Sequence, residues 1–327
     1  MDDRPDAPAS PAAPEPQSTL AALEFDGCAL RYGEVVCAEG GPGSLRRLGT
    51  CDFEFDAEEA VFGDVEPRNF DTVIEAISEI FRGSKAPALR VAVHPPSMTG
   101  FFAPLPEGMA AADRHEQLRQ EAALLADVNA AQPVRIRAVP IRTEDVEIAE
   151  APEPHRWHHV FHVPEPVHAR MTLMARALDM SAYDLLDTTR AAAKVIAALD
   201  GAAPVPPMAE QPNAPYTLAL GAYAGHVELG IVHQGTWYHG HHGPMGAPDD
   251  AAYFAVALLD RIGLGTAEVG RLLLYGENAD PGDFHLLADL LGQEPALFDP
   301  LTIFGRSHSG ASPELLASYV PCVGALL

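Results

Sequence analysis

The chain has 327 residues, of which 47% are hydrophobic and 20% charged. That is enough apolar material for one large domain or two medium ones, and it excludes wholesale disorder. The 46 acidic residues outnumber the 21 basic ones, for a formal net charge of -25. Such an excess repels phosphate backbones and anionic lipid, so it argues against nucleic-acid binding and against docking on a membrane through basic patches. Lys85 and Lys194 are the only lysines. Acid-rich, lysine-poor composition suits a halophile, with GC-rich codon usage as the other source of the lysine scarcity. No apolar run is long enough to span a bilayer and no secretory leader is visible, so the expected location is the cytoplasm. Cys28, Cys37, Cys51 and Cys322 have no CxxC spacing and read as reduced thiols.

Residues 1–18 are rich in Pro, Ala, Asp and Glu and predict a disordered tail. Strands are expected at 23–25, 29–32, 34–38 and 48–55, with turns at Asp26-Gly27 and Tyr32-Gly33. Phe70, Val73, Ile74, Ile77, Ile80 and Phe81 recur at helical spacing, which predicts a helix over 69–81 with Gly83 as its stop. A buried strand at 89–93 ends at Pro95-Pro96. A helix at 114–131, strands at 134–140 and 158–163, and helices at 166–180 and 183–198 follow. The Pro/Ala stretch 201–215 reads as a hinge between a first lobe (19–200) and a second (216–327). The second lobe opens with strands at 216–221, 226–233 and 235–240. It continues with a helix (248–262), a strand (271–275), a helix (283–291), a short strand (296–298) and a terminal helix (313–326). Both halves therefore run meander, helix, strand, helix, and two such halves enclose a cleft.

That duplicated order, with five local matches in sequence, resembles the actin/Hsp70/sugar-kinase superfamily. Within it the chain is similar to the PilM-like actin-like ATPases of type IV pilus assembly. The matches are LRVAVHPPSMTGFFAPLP (89–106), the hairpin TLALGAYAGHVELGIVHQGTWYHGHHGP (217–244), RLLLYGENAD (271–280), LFDPLTIF (297–304) and ELLASYVPCVGALL (314–327). The resemblance implies a duplicated α/β fold, actin-like (ribonuclease H-like), with two lobes of mixed β-sheet flanked by helices around a cleft. It also implies a nucleotide cleft near Glu24, Asp26, Gly27, Gly221, Gly276 and Glu277, and a protein partner, the cytoplasmic tail of an inner-membrane pilus or secretion component.

The phosphate turns depart from the superfamily pattern. An Asp-x-Gly turn there supplies a carboxylate toward Mg²⁺ and an open backbone toward phosphate. In LEFDGCALR (23–31) the frame puts Glu24 at the Asp place and Asp26 at the Gly place; LALGAYAG (218–225) keeps Gly221 but has Ala219 for the acid. The leading expectation is a non-catalytic or weakly nucleotide-binding scaffold, with no catalytic residue, no metal ligand set, and either no cofactor or ATP with Mg²⁺. The alternative is an active Mg²⁺-dependent ATPase or kinase that uses Glu24 and Asp26. A further alternative is a metal-dependent binding module built on HRWHHVFH (155–162) and HQGTWYHGHHG (233–243). Solvated turn histidines are the plainer reading of those clusters. EGGPG (39–43) reads as a hairpin turn, since no lysine stands near it.

Overall fold

The computed structural model describes residues 18–38, 41–63, 68–126, 134–148, 151–202, 215–305 and 310–327. Residues 1–17 of the expected tail and nearly all of the 201–215 hinge lie outside the described residues, as does the tip of the EGGPG turn.

The first sheet starts with a meander of β1 (Thr19–Asp26), β2 (Ala29–Ala38) and β3 (Gly41–Asp52). Gly27 makes the β1–β2 turn possible, because its φ of +55° lies in the left-handed region that side chains disfavour. Helices α1 (Ala57–Phe62) and α2 (Phe70–Ile80) follow, and α2 buries Val73 and Ile77 completely. Full burial of each such aliphatic stabilises the fold by about 1.5–3 kcal/mol. Strand β4 (Ala88–Val93) then lies parallel to β1.

A smaller layer is inserted next. It comprises β5 (Gly100–Pro106), α3 (Ala111–Leu125), β6 (Arg135–Ile148) and β7 (Ala151–Val163), in sheet order β5-β7-β6. Pro104 and Pro106 fit β5 because it is an edge strand, where a missing N–H leaves no ladder bond broken. The chain returns through α4 (Glu165–Ala177) to β8 (Ala182–Asp187), which completes the first sheet in the order β3-β2-β1-β4-β8. Helix α5 (Thr188–Ala202) leads out of it.

The second lobe repeats the plan. Its sheet has the order β11-β10-β9-β12-β13, from β9 (Tyr216–Tyr223), β10 (His226–His233), β11 (Thr236–Pro244), β12 (Val269–Tyr275) and β13 (Pro295–Leu297). The meander is antiparallel and β12 joins β9 in parallel, as β4 joins β1. LALGAY and LLLY are apolar because central strands are covered on both faces. Helices α6 (Asp250–Arg261) and α7 (His285–Leu291) cover one face with Ala251, Ala255, Leu258 and Leu287.

Short helices α8 (Pro313–Ala317) and α9 (Val320–Leu326) end the chain. Helix α9 packs on α5 and against β1, β2 and β4, while α5 also packs on β10 and β11. These two helices share one apolar cluster drawn from both sheets, with Ala191, Val195, Val323 and Leu326 inside it. Small residues let them approach closely: a Cβ on Gly324 would run into the backbone of Ala191.

The structure corrects four sequence expectations. Tyr32-Gly33, expected as a turn, lies inside the continuous strand β2, where Tyr32 pairs with Leu23 and Gly33 with Ala22. The helix expected at 183–198 starts only at Thr188; AYDLLD is the edge strand β8. Asp187 stops the strand and accepts the backbone N–H of Thr189 at 2.8 Å, a helix-capping bond. The single helix expected at 313–326 is split at Ser318-Tyr319, ahead of Pro321, which has no N–H for an earlier carbonyl. Strand β5 and helix α1 were not anticipated; prolines masked the first, and AEEAVF is too short to show a period.

Candidate functional site

The turns of the β1–β2 and β9–β10 hairpins come together where the two lobes meet. Their registers make the residues comparable. Asp26 pairs with Ala29 beside the first turn and Tyr223 with His226 beside the second. Glu24 and Arg31 then face each other on one hairpin, as Gly221 and Glu228 do on the other. Arg31 and Glu228 hold equivalent places. Leu23 pairs with Val91 and Leu220 with Leu274, so His94 and Glu277 are equivalent as well. In the sequence frame, Glu24 and Ala219 stood for the two acidic positions. The registers instead align Glu24 with Gly221 and Asp26 with Tyr223.

These equivalent residues pair across the lobes. Arg31 Nη2 lies 3.4 Å from Glu277 Oε2, and His94 Nδ1 lies 2.6 Å from Glu228 Oε1. Arg31 Nη1 also holds Asp26 at 2.9 Å and Glu24 at 3.4 Å. Glu24 Oε2 accepts the backbone N–H of Cys322 in α9 at 3.2 Å. Glu228 Oε2 accepts from Thr188 Oγ1 at 2.6 Å and from the Tyr275 hydroxyl at 3.1 Å. Glu24, Glu228 and His94 are all essentially inaccessible to solvent.

Burial sets the charge states. It raises the Glu24 carboxyl to about 7, against the pull of Arg31 and His94. Burial alone would raise Glu228, yet His94 and His226 outweigh it and hold the carboxyl at about 2. Burial would likewise lower His94, yet Glu228 raises it to about 10. His94 is therefore an imidazolium and Glu228 a carboxylate at neutral pH.

Of the residues expected at a nucleotide cleft, Glu24, Asp26 and Glu277 converge on Arg31. Gly27, Gly221 and Gly276 offer little open backbone. The Gly27 N–H donates to Glu58 Oε2 at 3.1 Å, and Ser97 donates to the other oxygen of the same carboxylate. The Gly276 N–H donates to the Ala317 carbonyl at 3.2 Å. A Cβ at Gly221 would lie 2.7 Å from the Tyr275 ring, so this glycine serves packing.

Sequence reading missed Arg31, Glu58, His94, His226 and Glu228. Glu228 did leave a signal. It is a lone acid inside an apolar strand, HVELGIVH, and such a residue is buried with a partner or not at all.

The two histidine clusters meet elsewhere, around Phe102, which stacks on His239 at 4.0 Å and lies 4.7 Å from His159. Burial lowers His159 to about 3 and His239 to about 4, so both are neutral aromatics there. His155 and His158 each turn Nδ1 to a carbonyl of their own strand, at 3.0 and 2.9 Å. They are buried side chains, not the solvated turn residues expected. A cavity of about 740 Å³ lined by His159 and His239 is bounded by β5, β7 and β11. Arg142 stands on its wall, 3.7 Å from the Tyr238 ring centre and 4.6 Å from that of Trp157.

A second cavity, of about 650 Å³, opens between β6, β8 and α4. Each of those strands is hydrogen-bonded on one side, β6 to β7 and β8 to β4, and ends its sheet. Arg137 of β6 forms an ion pair with Asp184 of β8 across it.

The comparisons with known proteins bear on the fold. A chain of a solved structure described as the "PilM-PilN type IV pilus biogenesis complex" superposes with a TM-score of 0.69 over 95% of this chain and 98% of its own, at 15% identity. The fold is actin-like. A Bacteroides thetaiotaomicron protein, described as having an actin-like ATPase fold and unknown function, matches with a TM-score of 0.50 at 6% identity, over 89% of this chain and 97% of its own. No protein-family model and no curated protein matches the sequence. At these identities the likeness fixes the actin-like architecture, the one the five local matches implied. No helix among the described residues is long and apolar enough to cross a membrane.

Proposed function

We propose that the protein is a non-catalytic, actin-like scaffold of type IV pilus or related secretion machinery, which binds a peptide segment of an inner-membrane partner. The observation that carries this reading is the charged seam between the hairpins. Where the superfamily pattern would present open backbone and a carboxylate–Mg²⁺ pair to a triphosphate, this chain has filled the space with its own ions. Glu58 takes the Gly27 N–H, Arg31 takes Glu24, Asp26 and Glu277, and His94 takes Glu228. A triphosphate would bring negative charge against buried carboxylates and would have to break cross-lobe pairs to enter. The alternative ATPase reading needs Glu24 and Asp26 free to hold Mg²⁺ through water, and both are engaged by Arg31.

A peptide finds a better seat in the cavity between β6 and β8. Two strand edges offer backbone hydrogen bonds to an extended segment, and Val134, Met180 and Leu185 offer apolar side-chain pockets. The PilM-PilN likeness supports a partner of that kind: a cytoplasmic segment of an inner-membrane pilus or secretion protein, bound beneath the membrane.

Two measurements test the reading. With millimolar ATP and Mg²⁺ the purified chain should release no phosphate above the buffer background; Mg²⁺-dependent hydrolysis would overturn the non-catalytic half. Ala182→Arg puts a long side chain into the β6–β8 cavity from an exposed position. It should abolish co-purification of the inner-membrane partner from native lysate, and retained co-purification would place the peptide elsewhere.

A further inference from the structure

The seam contains a cluster of which the scaffold reading uses only the His94–Glu228 pair. His94 follows β4 in the first lobe, while His226 and Glu228 share one face of β10 in the second, being alternate residues of a strand. One donor atom from each lies within 4.8 Å of the others. Glu228 Oε1 faces His94 Nδ1 at 2.6 Å and His226 Nε2 at 3.3 Å. Its other oxygen is occupied by the hydroxyls of Thr188 and Tyr275, so the carboxylate is fixed with one oxygen turned to two imidazole nitrogens. The rings are held as well. Tyr223 stacks on His226 at 5.0 Å and meets His94 edge-on at 4.5 Å.

The far side of His94 carries the second, independent observation. Its Nε2 is buried and has no hydrogen-bond partner among the described residues, yet it points at Glu24 Oε1 3.7 Å away. A carboxylate behind the outer nitrogen is what ligating histidines ordinarily have, because it fixes ring and tautomer and strengthens the donor.

We propose that His94, His226 and Glu228 form a transition-metal site that joins the two lobes, with zinc as the ion its donors suit. Two imidazoles and one carboxylate are borderline-to-hard donors that zinc accepts in a tetrahedral site with a fourth position left for water. His226 is 16% exposed and gives the ion its route from solvent. On binding, the metal takes the Nδ1 lone pair of His94, and the proton on that nitrogen goes to buffer. The Nε2 proton stays and faces Glu24. The ion therefore replaces a proton between the lobes, with one imidazole from each lobe on it.

The residues are distinct from those at the β6–β8 cavity, so partner capture and metal uptake succeed or fail separately. The test uses the full chain, stripped with a chelator and titrated with zinc chloride near neutral pH. One equivalent should bind, with release of about one proton, read by calorimetry in buffers of different ionisation heat. Cobalt(II) in place of zinc should give the intense visible absorption of a four-coordinate ion. His226→Ala, at the solvent side of the cluster, should weaken zinc binding at least about 10-fold, and Glu228→Gln should do the same in a chain whose circular dichroism is unchanged. The double variant His241→Ala, His242→Ala should bind as the parent does. The proposal fails if the parent takes up no stoichiometric zinc. It also fails if His226→Ala binds as tightly as the parent while the His241/His242 variant loses the ion.

Discussion

The hairpins β1–β2 and β9–β10 have the same antiparallel register around a glycine turn, and they carry opposite charges at equivalent places. Arg31 stands on the first where Glu228 stands on the second. The residues that answer them, Glu277 and His94, are also equivalent, and each belongs to the other lobe. A duplicated fold thus generates two cross-lobe ion pairs related by its pseudo-twofold. The pairs differ in setting. His94–Glu228 is inaccessible, whereas the Glu277 side chain is 37% exposed. The same contact should therefore cost very different amounts to break. Both halves share one strand order because strand pairing and the apolar faces do not depend on these residues, while the charges at the seam differ between them.

The largest effect is expected at the buried pair. Glu228→Leu removes the partner that keeps His94 charged in a dry site, and breaking a buried pair by taking away one side costs about 3–5 kcal/mol. Urea unfolding in chelator measures this free of any metal. The pH profile then separates lost charge from lost packing. His94 stands near 10 in the folded protein against an ordinary 6.5, so its contribution is full below about 6.5 and is lost as pH rises through about 10. The parent should weaken across that window. Glu228→Leu should lack this component of the slope, because the group that held His94 up is gone. Equal slopes in the two proteins would mean that the pair does not join the lobes.

How much of this was written in the sequence depends on which forces were local. Most meander strands, the α2 stripe and the Gly27 turn were legible because apolar spacing and turn chemistry act within a few residues; Gly33 misled, because a glycine inside a strand has the same local signature as a turn. The two-lobed architecture was legible because the pattern occurs twice. Strand β8 was not. AYDLLD has no strand period, and only pairing with β4, far back in the chain, makes it extended. The seam was half legible. Glu24 and Asp26 drew attention as a misfit to a phosphate turn, but Arg31, which explains them, gains its meaning from Glu277 on the other lobe. His94 closed an apolar run beside Pro95-Pro96 and looked like a loop residue. Its role depends on Glu228, 134 residues away. Charges that pair over such separations carry no local pattern.

A smaller effect tests the asymmetry between Glu24 and Gly221, which the registers make equivalent. The first hairpin has room for a carboxylate because Ala92 lies beside it; the second has Tyr275 there. Gly221→Ala would set its Cβ 2.7 Å from the Tyr275 ring. That ring is fully buried and its hydroxyl donates to Glu228, so it cannot move without giving up the bond. A loss of about 1–3 kcal/mol is expected from overpacking. Adding Tyr275→Phe unties the ring from Glu228 and lets it shift away from the new methyl, so the double variant should lose less than the two single variants summed. Additive losses would mean that the ring does not give way even when untied.

The smallest effect belongs to the exposed pair. Glu277→Gln keeps the shape of the side chain and removes its charge from Arg31, which retains Asp26 at 2.9 Å. Water reaches Glu277, and exposed ion pairs contribute about 0–1 kcal/mol, so the stability change should fall within that range and vanish at high salt. This sets a sharp contrast with Glu228→Leu. If Glu277→Gln destabilised as much as the buried substitution, the seam would be one electrostatic unit, and solvent exposure would not be what distinguishes its halves. A small, salt-sensitive change would instead mean that the Arg31 side is held within its own lobe by Asp26 and Glu24. The lobes would then be joined at this seam chiefly through His94 and Glu228, on the side where the metal ligands lie.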